Sequence, residues 1–181
     1  MRRPLSSFVS RTNNMEIWCI RHGEATHNVD YRERGPIAYL DERHTNSALT
    51  ARGKAQAGRC RLPRRPDVAV TSPLRRAMDT AHIALLGYQD VQLVVLDCMR
   101  EFPNGIHTPN RLFRVQDTWR GDREETRAEL QARVAEFEMW IEDNAHRYET
   151  VAAFGHTSFF EEFLGRVGDS LPHAQPVVCH V

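Results

Sequence analysis

Short apolar runs separated by longer polar or amphipathic stretches set the rhythm of this chain. Met15-Glu16-Ile17-Trp18-Cys19-Ile20 is a β-rich run ended by Arg21-His22 and Gly23, which predicts a first strand with a loop at its exit. The polar stretch from Glu24 to Ser47 reads as loop. Thr50 then stands where a helix N-cap belongs, ahead of the Ala-rich run Ala51 to Ala57. Val68-Ala69-Val70-Thr71 predicts a second short strand. Ser72-Pro73 after it suits a helix start, with serine at the cap and proline where no hydrogen bond is lost. Val91 to Leu96 predicts a third strand, continuous enough in Leu and Val to be buried on both faces.

An irregular stretch from Glu101 to Gly121 contains Pro103, Gly105 and Pro109. Leu130, Val134, Phe137 and Ile141 then recur at the spacing of one buried stripe, predicting a long helix from about Arg123 to His146. Asp122 is its expected cap, with Glu124 and Glu125 near the positive end of the dipole. Thr150 to Phe154 predicts a fourth strand leading into Gly155-His156, and Ser158 to Val167 a helix packing Phe159, Phe160, Phe163 and Leu164. Val177 to Val181 fits one more edge strand. Strands alternating with helices predict the α/β class, a three-layer α/β/α sandwich with a largely parallel central sheet.

Composition sharpens this picture without changing it. At 181 residues and 41% hydrophobic, the chain suits one domain over 15–181 behind an N-terminal extension over 1–14. Lys+Arg and Asp+Glu balance at 24 each, so no global field favours nucleic acid or an anionic membrane as a partner. Cys19, Cys60, Cys98 and Cys179 lack CxxC spacing and read as reduced core thiols of a cytoplasmic protein. Arg2, Arg3, Arg11, Ser6, Ser7 and Ser10, with no acidic residue before Met15, have the composition of an organelle transit segment. They also fit a disordered tail before an internal start. Oligomeric state is left open.

The chemistry gathers at the predicted strand exits, where open α/β sheets bind ligands. A histidine beside an arginine at such an exit suits phosphoryl transfer to an imidazole. The imidazole must be unprotonated, and the adjacent charge of Arg21 pushes the pKa of His22 down. Arg76, early in the helix begun by Ser72-Pro73, can point back to the same rim, and its forked guanidinium matches phosphoryl oxygens better than a lysine would. Glu101, beyond the third strand, suits a carboxyl that gives a proton to the leaving oxygen and later takes one from water. Nearby arginines are expected to hold it ionised until a phosphate dianion raises its pKa. His156 is placed to donate to a phosphoryl oxygen. His27, His44, His82, His107, His146, His173 and His180 show no H-E-x-x-H pairing, so no metal site is predicted. His107, in the loop after Glu101, is expected to touch substrate, and Arg111 and Arg114 lie beyond it.

This arrangement resembles the histidine phosphatase superfamily, in the branch that also contains the cofactor-dependent phosphoglycerate mutases. The family's Arg-His-Gly box stands as Arg21-His22-Gly23, continued by Glu24 and Asn28, and its Leu-Thr-x-x-Gly-x-x-Gln-Ala stretch as Leu49 to Ala57. Thr71 to Ala81 carries the Thr-Ser-x-Leu-x-Arg-Ala-x-x-Thr-Ala pattern, which puts the family's arginine on Arg76 rather than Arg75. The acidic residue after a strand falls on Glu101 and the late Gly-His pair on Gly155-His156. The resemblance implies that His22 is the phosphorylated nucleophile and Glu101 the proton donor. Arg21, Arg76 and His156 would form the phosphate pocket, with Gly23 and Asn28 in support. It implies no metal and no organic cofactor. Mutases of this family carry a longer basic, glycine-rich insertion where this chain has only Phe102 to Asp122, so hydrolysis of a small phosphorylated metabolite or phosphoprotein is expected. The alternatives are a phosphoglycerate mutase-type transfer, or a non-catalytic module that binds a phosphorylated ligand.

Overall fold

A computed structural model describes residues 15–44, 46–102, 125–166 and 168–181, apart from the side chains at 39, 40 and 42. Five strands, β1 (Glu16–Arg21), β2 (Val68–Thr71), β3 (Leu93–Val95), β4 (Thr150–Gly155) and β5 (Pro176–His180), form one sheet in the order β3-β2-β4-β1-β5. The pairs β3·β2, β2·β4 and β4·β1 are parallel, and only β5 runs antiparallel, against β1. Parallel strands require crossovers, which supply α1 (Thr26–Arg34), α2 (Ala51–Gly58), α3 (Arg75–Ala84) and α4 (Arg127–Asn144), and α5 (Thr157–Phe163) connects β4 to β5.

Alternation along β1 divides the core into two. Ile17 and Cys19 join Val68, Val70, Val151 and Ala153 beneath Leu130, Val134, Phe137 and Ile141 of α4 and Phe159 and Phe160 of α5. Trp18 and Ile20 face the other way, with Ala69, Ala152 and Phe154, onto Ala81 and Leu85 at α3 and Cys60 after α2. The result is the three-layer α/β/α sandwich with a largely parallel sheet that the alternation of elements predicts. Among the described residues no helix is long and apolar enough to cross a membrane.

Several sequence readings need correction. The stretch read as loop after Glu24 contains α1 and two 3-10 turns. In THNVDYRER only Val29 and Tyr31 are apolar, so the helix carries almost no hydrophobic period. Val91 to Leu96 shortens to β3, which is not buried on both faces. Among the described residues it pairs with β2 alone, at the edge of the sheet, and Val95 is 51% exposed. The long helix starts at Arg127, not near Arg123, because Thr126 accepts from the Glu129 N–H while the Glu129 carboxylate accepts from the Thr126 N–H. Glu125 therefore precedes the helix, and Asp122 and Glu124 lie outside the described residues. α5 spans Thr157–Phe163, ending before the Val167 expected from sequence. Thr50 is the cap expected of it, accepting from Gly53 N at 3.0 Å. Ser72 is not a helix N-cap: α3 begins at Arg75, with Leu74 in the capping position.

Candidate active site

Strand register brings the chemistry together. β4 lies between β1 and β2, with Arg21 opposite Gly155 and Thr71 opposite Phe154. The next residues, His22, His156 and Ser72, therefore emerge side by side at the carboxyl edge of three parallel strands. Two backbone bonds continue the ladder past the strand ends: His22 N donates to Gly155 O and Ser72 N to Phe154 O, both at 3.0 Å.

His22 is buried and its ring is fixed from both sides. Nδ1 lies 2.7 Å from the Gly23 carbonyl, which can only accept, so the ring proton is on Nδ1. Nε2 is left with its lone pair, which accepts from Arg76 Nε at 3.2 Å. Burial first, then the charge of Arg76, the neighbouring His156 and His27, and the charge of Arg21 hold His22 well below the ordinary imidazole pKa. The sequence names Arg21 as one such charge; burial and Arg76 outrank it. Arg76 is 2% exposed, whereas its neighbour Arg75 is exposed, 3.5 Å from Asp79.

Gly23 was expected among the phosphate contacts, but its N–H donates to Thr80 Oγ1 at 3.0 Å while its carbonyl holds His22. These two bonds tie Gly23 to the His22 ring and to α3. A Cβ on Gly53 would lie 2.0 Å from the Glu24 carbonyl, and one on Gly23 2.5 Å from the Gly53 carbonyl, so the α2 start seats directly against the His22 loop. Burial raises the pKa of Glu24, but hydrogen bonds from Arg32 and Thr50 outweigh it and keep the carboxylate ionised.

Arg21 sends Nη1 to Leu171 O at 3.0 Å and to Ser170 Oγ at 3.1 Å, and its charge acts on His22, His27, His156, His173 and Glu101. Asn28 accepts from Ala25 N at 2.9 Å and donates to His27 Nε2 at 3.0 Å, so it orders the first turn of α1 and its histidine. His107, Arg111 and Arg114 lie outside the described residues.

Glu101 follows β3 and a 3-10 turn at Asp97–Met99. One carboxyl oxygen accepts from Phe102 N at 2.9 Å and Ser158 N at 3.2 Å, the latter in the first turn of α5, so the other oxygen is the one open to proton transfer. The arginines expected from sequence to act on this carboxyl do so, but they do not bring its pKa below the ordinary value. Burial raises its pKa above the ordinary carboxylate value, and the opposing charges of Arg76, Arg21 and Arg133 do not cancel that. Arg133 also holds the approach to Glu101, donating to Cys98 O at 2.5 Å and Arg100 O at 2.7 Å, with its guanidinium paired to Glu125.

His156 is fully buried, with its ring centroid 5.2 Å from that of His22. Sequence reasoning passed over two further imidazoles at this place. His27 lies 5.8 Å and His173 5.7 Å from His22, ring centroid to ring centroid. His173 Nδ1 donates to the His22 carbonyl at 2.7 Å. His27 carried a signal, since it falls within the box between Gly23 and Asn28. His173 carried none, being brought in by the chain that leads into β5. Elsewhere, Asp30, Asp41 and His44 hold atoms within 4.8 Å of one another, but Arg34 pairs with both carboxylates and Arg43 with Asp41. Those guanidiniums already balance the charge a cation would meet.

Buried guanidinium, neutral imidazoles and a carboxyl with a raised pKa around one lone pair make a place for an anionic group under nucleophilic attack. Known proteins agree with this architecture. Mycobacterial hydrolase 1 superposes with a TM-score of 0.69 at 17% identity, covering 92% of this chain and 90% of that one. The alpha-ribazole phosphatase from Shigella flexneri gives 0.61 at 22%, covering 87% and 81%. A phosphoserine phosphatase from Entamoeba histolytica, solved with 3-phosphoglyceric acid, gives 0.59 at 19%, covering 91% and 89%. At these identities the likeness establishes the fold. No curated protein sequence matches the chain at a significant level. The sequence model of the histidine phosphatase superfamily, branch 1, matches residues 17–175, and the chain belongs to that family.

Proposed function

We propose that the chain is a phosphomonoesterase that works without a metal through a phosphohistidine at His22, on a small phosphorylated metabolite or a phosphoprotein. The observation that carries this reading is the state of the His22 ring: a proton committed to the Gly23 carbonyl and a lone pair on Nε2 beside a buried guanidinium. In the first step Nε2 attacks phosphorus and the ester P–O bond breaks. The leaving oxygen takes its proton from the Glu101 carboxyl, whose raised pKa keeps that proton available. In the second step water attacks the phosphohistidine, gives a proton to the Glu101 carboxylate, and the P–N bond breaks to release phosphate. Arg76, Arg21 and the His156 ring bear the phosphoryl charge, which is the service a metal would otherwise render.

Hydrolysis is preferred to transfer onto a second hydroxyl because only Phe102 to Asp122 stand where the mutases carry their longer basic insertion. Two of the structural relatives are named as phosphatases of small esters, which supports the same choice. The test is hydrolysis of p-nitrophenyl phosphate in excess chelator from acidic to neutral pH, with His22→Ala beside the wild type. Activity that survives chelation and disappears in the variant is the expected result. Wild-type activity that chelation removes would overturn the metal-free chemistry, and activity retained by His22→Ala would overturn the nucleophile.

A further inference from the structure

Ser72 belongs to the stretch that sequence reasoning assigned to a helix cap, a duty it does not perform. It is fully buried, and its hydroxyl lies between two partners, Leu74 N at 3.2 Å and His156 Nε2 at 2.8 Å. A backbone N–H can only donate, so the Leu74 bond occupies a lone pair of Ser72 Oγ and leaves its single proton to be placed. Two arrangements of the serine–histidine pair remain. In one, Ser72 donates to Nε2, and His156 carries its proton on Nδ1. In the other, Nε2–H donates to Ser72, which strands the serine proton without an acceptor among the described residues and leaves a bare lone pair on Nδ1. The first satisfies one more buried polar group, and a buried donor left without an acceptor is costly.

A second observation points the same way. His156 Nδ1 is buried and has no hydrogen-bond partner among the described residues. Its ring stands 5.2 Å from the His22 ring, edge to face. A buried N–H left open beside a nucleophile is a donor kept for a ligand oxygen, whereas a buried lone pair there would repel one.

We infer that Ser72 is a positioning residue that fixes His156 in its Nδ1-protonated form, making that N–H the donor available to a phosphoryl oxygen at His22. Ser72 touches no reacting atom in this assignment; it acts through the imidazole. The inference deepens the proposed phosphatase reading and rests on it for the identity of the ligand, but the tautomer itself is observable without any activity.

The experiment is two-bond 1H–15N correlation NMR of the intact protein, which reports which His156 nitrogen bears the proton, joined to kinetics with p-nitrophenyl phosphate. The wild type should show the proton on Nδ1. Ser72→Ala should move it wholly or partly to Nε2 and lower kcat about tenfold to a hundredfold with KM little changed, the size of one misdirected buried donor. Ser72→Thr, which keeps the hydroxyl, should restore both. A wild-type His156 protonated on Nε2 overturns the inference, as does a Ser72→Ala protein that keeps Nδ1–H while losing activity. Should Ser72→Ala fail to fold, the wild-type spectrum and Ser72→Thr still decide the matter. If the protein shows no turnover while the tautomer is as stated, the phosphatase reading fails and the positioning role stands. Affinity for inorganic phosphate then replaces kcat as the readout, with Ser72→Ala expected to weaken it.

Discussion

His22 and His156 are the same residue at equivalent places, each just beyond a parallel strand, and the two strands are hydrogen-bonded neighbours. Both are buried and both have pKa values well below the ordinary imidazole value, with burial the leading cause and Arg76 the next. What separates them is the partner of one ring nitrogen. His22 meets a carbonyl, which takes its Nδ1 proton and leaves a lone pair facing the guanidinium. His156 meets a hydroxyl that already accepts from Leu74, so the hydroxyl gives its proton to Nε2 in the assignment made above. In the function proposed above, the same residue type under the same field serves as nucleophile in one case and donor in the other.

The sharpest way to break that comparison is to remove each ring in turn. His22→Ala should lose about four to six orders of magnitude in turnover and yield no acid-labile phosphoprotein, because without the nucleophile only binding and electrostatics remain. His156→Ala should lose about a hundredfold to a thousandfold, the value of one donor to a developing charge, and still yield phosphoprotein on rapid quenching. Equal losses, or phosphoprotein in both variants, would mean the two roles are not divided as stated.

A smaller effect, selective in its substrate, belongs to Glu101. Because burial raises its pKa above 4.5, the carboxyl keeps its proton to higher pH than an ordinary glutamate and loses it as pH rises through the raised value. Turnover of alkyl phosphates should therefore fall along that limb. Glu101→Gln should flatten the limb and slow alkyl phosphates about a hundredfold or more, while p-nitrophenyl phosphate, whose leaving group needs little protonation, is slowed much less. A uniform loss across leaving groups would move the acid elsewhere.

The smallest effect tests what the two histidines share. Each has a folded pKa below its unfolded value, so below about pH 6.5 the unfolded chain binds protons that the folded chain does not. Stability should consequently decline as pH falls from 6.5 toward 5, with each ring contributing up to about 1.4 kcal/mol per pH unit. His22→Asn and His156→Asn, followed by urea unfolding across this range, should each remove a similar part of the slope. A variant with unchanged slope would show that its ring is accessible to protons in the folded state.

Local pattern made much of this legible. The apolar runs at Ile17–Ile20 and Val68–Val70, the capping Thr50 and the stripe Leu130, Val134, Phe137 and Ile141 each carry their own period or cap, which is information that needs no distant contact. α1 escaped because nine mostly polar residues form a helix only when tertiary contacts support them, here the 3-10 turn at Gly35–Leu40 and the His22 ring beside His27. The edge position of β3 escaped for a related reason. Leu and Val specify a strand, but which strands flank it is fixed by crossovers elsewhere in the chain. Arg76 was distinguishable from Arg75 by its place in a motif, and Glu101 by following a strand. No pattern in sequence marked His173, which arrives from 151 residues away to donate to the His22 carbonyl.

By itself, the sequence determined the α/β class, the family and the side chains able to carry the chemistry, since these depend on residue types at fixed local spacing. Only the tertiary structure decided where protons sit. The Arg76 guanidinium at His22 Nε2, the inferred tautomer of His156 and the change of Ser72 from cap to hydrogen-bond partner depend on groups 54 or 84 residues distant in the chain, and the raised pKa of Glu101 follows from burial. Electrostatic interaction depends on distance in space and on the water excluded from it, and neither quantity is written in local sequence.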